Sequence, residues 1–300
     1  MGKVMIDKQQ DIGLIGAGLM GSGIASSLLR GGHRLTILEH PGNQPLDALI
    51  KAGAQTCNSA SDLASRSDVL ILCVTGTPQV EQVLLQEDGV LHDMKKGCTI
   101  IDCSTAIPSS TLKIAKLIED KGGNFLDAPM TRTPKEAAEG RLNLIVGGDA
   151  DVYEACLPIL QSYAENITYA GPTGAGHKMK LLHNYVSLGF SVLLAEAAAC
   201  AHKAGIDEKA FCEILANGGG GGVVLNRLRP FIESGDTSGF QFSISNALKD
   251  MSYYCALAED QHARSDIAQS VKTAYSAAAQ AGLEQEPLPK IVDFFSSKFD

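Results

Sequence analysis

The chain has no long apolar run, no excess of positive charge and no paired cysteines, and each absence excludes a class of function. No apolar run reaches the ~18 residues that a membrane span requires. The stretch Met1–Gln10 is short and polar, without the apolar segment of a secretory leader. Lys and Arg number 25 against 34 Asp and Glu, a net charge of −9 that repels nucleic-acid phosphates. That balance leaves room for a small anionic ligand, which needs only local positive groups. The eight cysteines (57, 73, 98, 103, 156, 200, 212 and 255) show no C-x-x-C and no metal-ligand spacing. They read as reduced thiols in a cytoplasmic protein, with no metal site. Apart from the glycines at 218–222, no repeat or low-complexity segment stands out.

What is present suits a folded enzyme-sized chain: 300 residues, 45% hydrophobic and 20% charged. The first half alternates short β-rich runs (11–16, 34–39, 69–74, 98–102, 124–127, 142–147, 167–170) with helical stretches (21–31, 45–51, 78–85, 109–121, 151–162). Such alternation predicts an α/β fold with a mostly parallel, doubly wound sheet. After the turn Gly171-Pro172-Thr173-Gly174, Ala-rich helical sequence takes over: 177–204, 207–215, 243–259 and 265–281. The expected division is a nucleotide-binding domain over 1–170 and an all-helical domain over 171–300 that opens with a long helix. In such sheets ligands bind where the strand C-termini end.

The segment Asp11–Glu39 is the most specific signal. An apolar run (Ile12 to Ile15) leads into Gly16-Ala17-Gly18-Leu19-Met20-Gly21, then a helical stretch, then a second apolar run ending at Glu39. This is the order of a dinucleotide site of the Rossmann type. Gly16 permits the tight turn, Gly18 the approach of a pyrophosphate, and Gly21 close packing of helix on strand. The helix N-terminus that follows offers N–H groups and a positive dipole end to phosphates, with Leu19 and Met20 of the glycine loop among the cofactor-binding residues. Glu39 stands where a carboxylate can accept both ribose hydroxyls and repel a 2′-phosphate, so NAD is expected over NADP, with His40 beside it.

Further segments, in order, resemble the β-hydroxyacid dehydrogenases over about Ile12–Ala281: Gly13 to Gly21 with Met20 before the last glycine, Asp102-Cys103-Ser104-Thr105 with Pro108, Asp127-Ala128-Pro129-Met130 with Gly140 and Gly147-Gly148, and Gly174-Ala175-Gly176 followed by Lys180 and Asn184, with Lys249-Asp250 in support. The resemblance implies a 6-phosphogluconate-dehydrogenase-like helical domain, a homodimer or homotetramer, and hydride transfer between NAD(H) and a short 3-hydroxy acid or its semialdehyde. Lys180 is then the general acid/base. A lysine in a partly dry cleft near a helix N-terminus is expected to have a lowered pKa. Asn184 lies one helical turn on, at i+4, and holds the substrate oxygen. His183, at i+3, gives a Lys-x-x-His-Asn pattern that resembles 6-phosphogluconate dehydrogenases, and stands as a second polar contact or an alternative proton carrier.

The same resemblance places Ser104, Thr105 and Thr131 around nicotinamide and substrate, with Thr131 on the substrate carboxylate. Val74, Thr75, Phe242 and Lys249 fall on the cofactor side, and Asp250 steadies Lys249. The chain departs from the family at Arg132-Thr133, where most members have Gly-Gly. A guanidinium there can grip an anion bidentately. An arginine in this loop resembles sulfolactaldehyde reductases, so a substrate with a sulfonate, an extra carboxylate or a charge set further from the reacting carbon is the alternative; the other reading is an arginine turned to solvent or paired with Glu136 or Glu139. Imine reduction is disfavoured because Lys180 is present, and decarboxylating chemistry because the chain lacks a long C-terminal extension. A non-catalytic dinucleotide-binding module is the alternative of a different class, and such relatives lose the lysine.

Overall fold

A computed structural model describes residues 10–297. The expected lack of an apolar leader over Met1–Gln10 therefore concerns residues that lie, Gln10 excepted, outside the described range. By contacts the chain divides between Lys180 and Leu181 into two compact units.

In the first unit the elements run β1 (Asp11–Ile15), α1 (Leu19–Arg30), β2 (Arg34–Leu38), α2 (Asp47–Lys51), β3 (Gln55–Cys57), α3 (Ala60–Arg66), β4 (Val69–Leu72), α4 (Thr77–Leu85), α5 (Val90–Asp93), β5 (Thr99–Asp102), α6 (Pro108–Asp120), β6 (Asn124–Asp127), β7 (Met130–Thr131), α7 (Pro134–Glu139), β8 (Leu142–Gly148), α8 (Ala150–Leu160) and β9 (Ala164–Gly171). The sheet order is β3-β2-β1-β4-β5-β6-β8-β7, with β9 paired to β8. β1 to β6 are all parallel, in the six-strand order of a dinucleotide fold. β8 runs antiparallel to β6 and β7, and parallel to β9. The doubly wound α/β expectation holds, with this antiparallel turn as an addition to it.

The core strands read as they must when both faces are covered: Val69-Leu70-Ile71-Leu72 in β4 and Thr99-Ile100-Ile101-Asp102 in β5 are buried throughout. Each fully buried Leu or Ile contributes about 1.5–3 kcal/mol. Helix α1 packs tightly on α7, since a Cβ at Gly23 would lie 2.6 Å from Ala137 Cβ. α7 has clear local causes: Pro134 in its first turn, a Thr133/Glu136 capping box, and Gly140 left-handed (φ 75°) at its end. Sequence patterning misses β3, α3, α5, β7 and α7, and starts β9 three residues late.

Helix α9 (Ala175–Lys203) carries the chain from the first unit into the second. It is long and apolar enough to cross a membrane by length and composition alone, though half of its most apolar window is buried inside the protein. The second unit continues with α10 (Glu208–Ala216), α11 (Val223–Ser234), α12 (Ile244–Asp260), α13 (Asp266–Ala278) and α14 (Ile291–Ser296). Leu188, Phe231, Met251 and Tyr275 lie in its core, and the Tyr275 hydroxyl donates to Leu188 O at 2.9 Å. The glycines 218–222 form the link between α10 and α11. α11, which contains Pro230, escapes the sequence reading.

All eight cysteines are free thiols. Burial pushes Cys73 and Cys98 up to about 12 and Cys156 to about 11, so these stay protonated and inert.

Candidate active site

The dinucleotide loop is defined by what its glycines exclude. Gly16 has φ +93°, and a Cβ on it would lie 2.3 Å from Cys73 O. A Cβ on Gly21 would lie 1.9 Å from Gly16 O, so α1 can reach the β1 turn only without a side chain there. Gly18 differs: nothing lies within 4 Å of its Cβ position. The packing of the protein itself does not require a glycine at 18. No side chain caps the α1 N-terminus and no acidic residue stands in its first turn, with Leu19 exposed beside it. These features fit a pyrophosphate.

Beyond β2, an open depression of about 500 Å³ is lined by Glu39, His40, Pro41, Asn43, Gln44, Leu46 and Asn58. Glu39 and His40 are exposed there. His40 Nδ1 accepts from Gly42 N at 3.0 Å. Asn43, which the sequence reading passed over, ties the depression to the glycine loop. Its Oδ1 accepts from Ala17 N at 3.1 Å, its Nδ2 donates to Leu38 O at 2.9 Å, and Gln44 N donates to Ala17 O at 2.8 Å.

A second group of residues gathers beyond the C-termini of β4, β5 and β6. Val74 and Thr75 follow β4, Ser104 and Thr105 follow β5. Val74 N donates to Ser104 Oγ at 3.1 Å, and Ser104 N donates to Asp102 Oδ1 at 2.9 Å. Lys180, half-buried on α9, donates from Nζ to Met130 O at 2.7 Å. It thus sits at the foot of the loop carrying Thr131 and Arg132. Thr131 Oγ1 accepts from Asn143 Nδ2 at 3.2 Å, and Asn143 Oδ1 from Asn166 Nδ2 at 2.9 Å.

Arg132 has φ +84°, a left-handed backbone that favours glycine. Its guanidinium bonds the Arg141 carbonyl and the Glu165 carboxylate. The partner is an acidic residue on β9 and not Glu136 or Glu139, which the sequence would suggest; Glu136 closes the α7 capping box and Glu139 pairs with Arg141.

Asp127, fully buried at the end of β6, receives Gly174 N on Oδ1 and His177 N on Oδ2, each at 2.7 Å. It thereby caps the start of α9 from a distant strand. Burial pushes its carboxyl above the ordinary range, against the pull of the His177 ring and those two N–H donors. The fit is close: a Cβ on Gly176 would lie 2.5 Å from Asp127 O, and one on Gly147 2.7 Å from Asp127 Oδ1. Sequence reasoning gave Asp127 and His177 no role. Gly147 and Gly176 mark a close backbone approach in the sequence but do not name what approaches.

In the helical unit, Asn184 Nδ2 donates to the buried Asp250 Oδ2 at 2.6 Å, and His183 Nδ1 lies 3.0 Å from Asn184 Oδ1. A carboxylate only accepts, so the Asn184 amide turns its NH₂ to Asp250 and its oxygen to His183, and His183 Nδ1 carries the hydrogen. Asp250 Oδ1 makes no hydrogen bond, but the Lys249 ammonium is 3.3 Å away and also faces the Tyr253 ring at 5.6 Å. Phe242 packs partly buried on the helical core. No group of three or more His, Cys, Asp or Glu that could hold a metal occurs among the described residues.

A glycine-cradled helix N-terminus at the head of a six-strand parallel order, followed by an all-helical unit, defines a dinucleotide-binding oxidoreductase architecture. The profile of the NAD binding domain of 6-phosphogluconate dehydrogenase matches residues 11–171, and that of the NAD-binding region of NADP-dependent 3-hydroxyisobutyrate dehydrogenase matches 174–294. The 3-hydroxyisobutyrate dehydrogenase of Pseudomonas aeruginosa is 32% identical over 286 residues, covering 93% of this chain and 95% of that protein. The 2-hydroxy-3-oxopropionate reductase of Escherichia coli K12 is 34% identical over 207 residues, 69% of this chain and 70% of that protein. A solved 3-hydroxyisobutyrate dehydrogenase from Salmonella typhimurium superposes with a TM-score of 0.84 at 27% identity, over 95% of this chain and 99% of its own. The chain belongs to the β-hydroxyacid dehydrogenase family. It is an NAD(P)-dependent oxidoreductase acting on hydroxyl groups.

Proposed function

We propose that the protein interconverts a short 3-hydroxy acid and its semialdehyde with NAD(H), Lys180 acting as general acid/base. The observation that carries this reading is Lys180 Nζ, 2.7 Å from Met130 O, the backbone carbonyl that precedes Thr131. Bound NAD(H) supplies the hydride acceptor or donor. The chain's own residues do the rest. In oxidation, neutral Lys180 takes the substrate hydroxyl proton; in reduction, its ammonium returns one to the nascent alkoxide. Asn184, whose amide is oriented by Asp250, holds the reacting oxygen, and His183 supplies a second polar contact. Ser104 and Thr105 line the nicotinamide side with Val74, Thr75, Phe242 and Lys249. Thr131 binds the substrate anion with a hydroxyl that needs no counter-charge.

NAD is the preferred dinucleotide on this reading, because Glu39 accepts ribose hydroxyls and repels a 2′-phosphate. Gly16, Gly18, Leu19, Met20 and Gly21 hold its pyrophosphate, and His40 flanks the adenosine. We take residues 1–170 as the dinucleotide domain and 171–300 as the helical substrate and dimerisation domain of a cytoplasmic homodimer or homotetramer. Leu182, Val186 and Leu193, exposed along α9, support the assembly. The Glu165 and Arg141 partners of Arg132 favour a simple carboxylate substrate over a sulfonate, since a sulfonate clamp would have to exchange them.

The test is a steady-state screen of 3-hydroxyisobutyrate, serine, glycerate, tartronate and succinic semialdehydes, glyoxylate and sulfolactaldehyde, in both directions, for the native chain, Lys180→Met and Arg132→Gly. The expected result is turnover of a 3-hydroxy carboxylate, lowered by at least ~10³-fold in Lys180→Met and indifferent to Arg132→Gly. Sulfolactaldehyde turnover lost in Arg132→Gly would instead make Arg132 the anion clamp. Turnover that survives Lys180→Met would remove Lys180 from the chemistry.

A further inference from the structure

His177 is wholly buried, contributes to no contact assigned above to substrate or cofactor, and lies one helical turn before Lys180. Its Nε2 is 3.1 Å from the Ser104 carbonyl and its Nδ1 is 2.8 Å from Thr111 Oγ1. A carbonyl only accepts, so Nε2 carries a hydrogen and donates it to Ser104. That bond does not depend on the charge of the ring. In the neutral ring Nδ1 accepts the Thr111 hydroxyl proton. In the charged ring Nδ1–H donates to Thr111, whose hydroxyl can turn to Ile107 O, 3.2 Å away.

Ser104 is consequently held at three atoms: its N–H on Asp102, its carbonyl by His177, and its Oγ by Val74 N–H. Because Oγ already accepts from Val74, its own proton is left to donate elsewhere. The backbone of His177 is fixed too, by its N–H on Asp127 Oδ2. One residue therefore ties the loop after β5, the turn after β4 and the first turns of α9 to the end of β6.

We infer that His177 is a positioning residue for hydride transfer: with Asp127 it fixes Ser104 and Lys180 in a single register. The inference deepens the function proposed above and rests on it for the roles of Lys180 and Ser104. A displacement of about 1 Å at either residue costs on the order of 10²-fold in rate, which is the effect the bracket prevents. A glutamine can still donate to the Ser104 carbonyl; a leucine of similar bulk cannot.

The experiment compares wild type, His177→Leu, His177→Gln and Asp127→Asn with 3-hydroxyisobutyrate and NAD. It reads kcat, KM, the pH profile of kcat, NADH affinity by fluorescence titration, melting temperature, and amide hydrogen exchange at Gly174 and His177. His177→Leu should lose about 10²-fold in kcat and shift the pH profile, with NADH affinity within about twofold. His177→Gln should recover to within about fivefold of wild type. Asp127→Asn, which turns an NH₂ or a single acceptor toward two donors, should speed exchange of those two amides at least tenfold. Undiminished kcat in His177→Leu would overturn the inference, as would equal losses in Leu and Gln variants that track melting temperature. Unchanged amide exchange in Asp127→Asn would overturn the Asp127 half. If wild type turns over none of the 3-hydroxy acids and semialdehydes of the screen above, it is the functional reading that fails, and the exchange data still decide the bracket; if it prefers another of them to 3-hydroxyisobutyrate, the comparison is run on that one.

Discussion

The three glycines of the nucleotide loop should separate stability from binding when each is changed to alanine. At Gly21 the added Cβ would lie 1.9 Å from Gly16 O and 3.0 Å from Gly16 C, both backbone atoms that cannot swing aside. Relieving that overlap means lifting α1 from β1, a cost of about 2–3 kcal/mol by analogy with overpacked cores. For a domain of this size that lowers the melting temperature by about 4–12 °C. At Gly18 the backbone is extended (φ −73°, ψ −161°) and the Cβ position is empty. An alanine is a poorer N-cap than glycine by up to about 1 kcal/mol, and restricting the unfolded chain offsets about 0.4–1 kcal/mol of this. Gly18→Ala should therefore melt within about 3 °C of wild type. Its NADH affinity should nevertheless fall at least about 30-fold, or about 2 kcal/mol, because the methyl stands between the backbone and the pyrophosphate. Differential scanning calorimetry and fluorescence titration on the same samples read both quantities. A Gly18→Ala protein that binds NADH like wild type would refute the placement of the pyrophosphate. A Gly21→Ala protein of native stability would refute the packing.

Three further outcomes are expected. Arg132 adopts φ +84° at a backbone cost of about 1–2 kcal/mol, while its half-exposed pair with Glu165 contributes about 0–1 kcal/mol. Arg132→Ala keeps the backbone cost and loses the pair, so it should unfold in urea about 1 kcal/mol more easily than Arg132→Gly; equal midpoints would show that the loop is not held left-handed. The double change Glu39→Asn and His40→Arg should raise kcat/KM with NADP relative to NAD, and an unmoved ratio would take the discrimination away from Glu39. Glu136 is held below the ordinary carboxylate range, chiefly by the Thr133 hydroxyl that donates to it. A depressed folded pKa gives stability that is complete above the ordinary value and is lost as the pH falls through the depressed one. The melting difference between wild type and Glu136→Gln should thus be largest near neutral pH and close in acid; a difference constant with pH would remove this linkage.

Much of the nucleotide unit was legible because burial wrote it into continuous apolar runs. β1, β4 and β5 are recognisable from Ile12 to Ile15, Val69 to Leu72 and Thr99 to Asp102, and the glycine spacing then orders them. Short elements that lean on neighbours were not legible. β3 buries only Cys57 of its three residues, and β7 is a two-residue pairing on β8. α11 follows five glycines and contains Pro230, both of which argue locally against a helix that Leu225, Leu228 and Phe231 stabilise by burial. Among site residues, Lys180 and Asn184 were reached through the family resemblance, and helical spacing added only that they share one face. Asn43, Asp127 and His177 could not be read, because each makes decisive bonds to partners 26 to 73 residues away. Tertiary bonds of that span leave no period in the sequence.

Anyone re-engineering the dinucleotide choice of this enzyme inherits a constraint from Asn43. The turn after β2 and the glycine turn are stitched together by the Asn43 side-chain amide and the Gln44 N–H, so they are a single part and not two modules. Edits at residues 39–41 will be felt at Ala17, and a library that randomises this turn while keeping Asn43 should retain far more folded, dinucleotide-competent members than one that varies it.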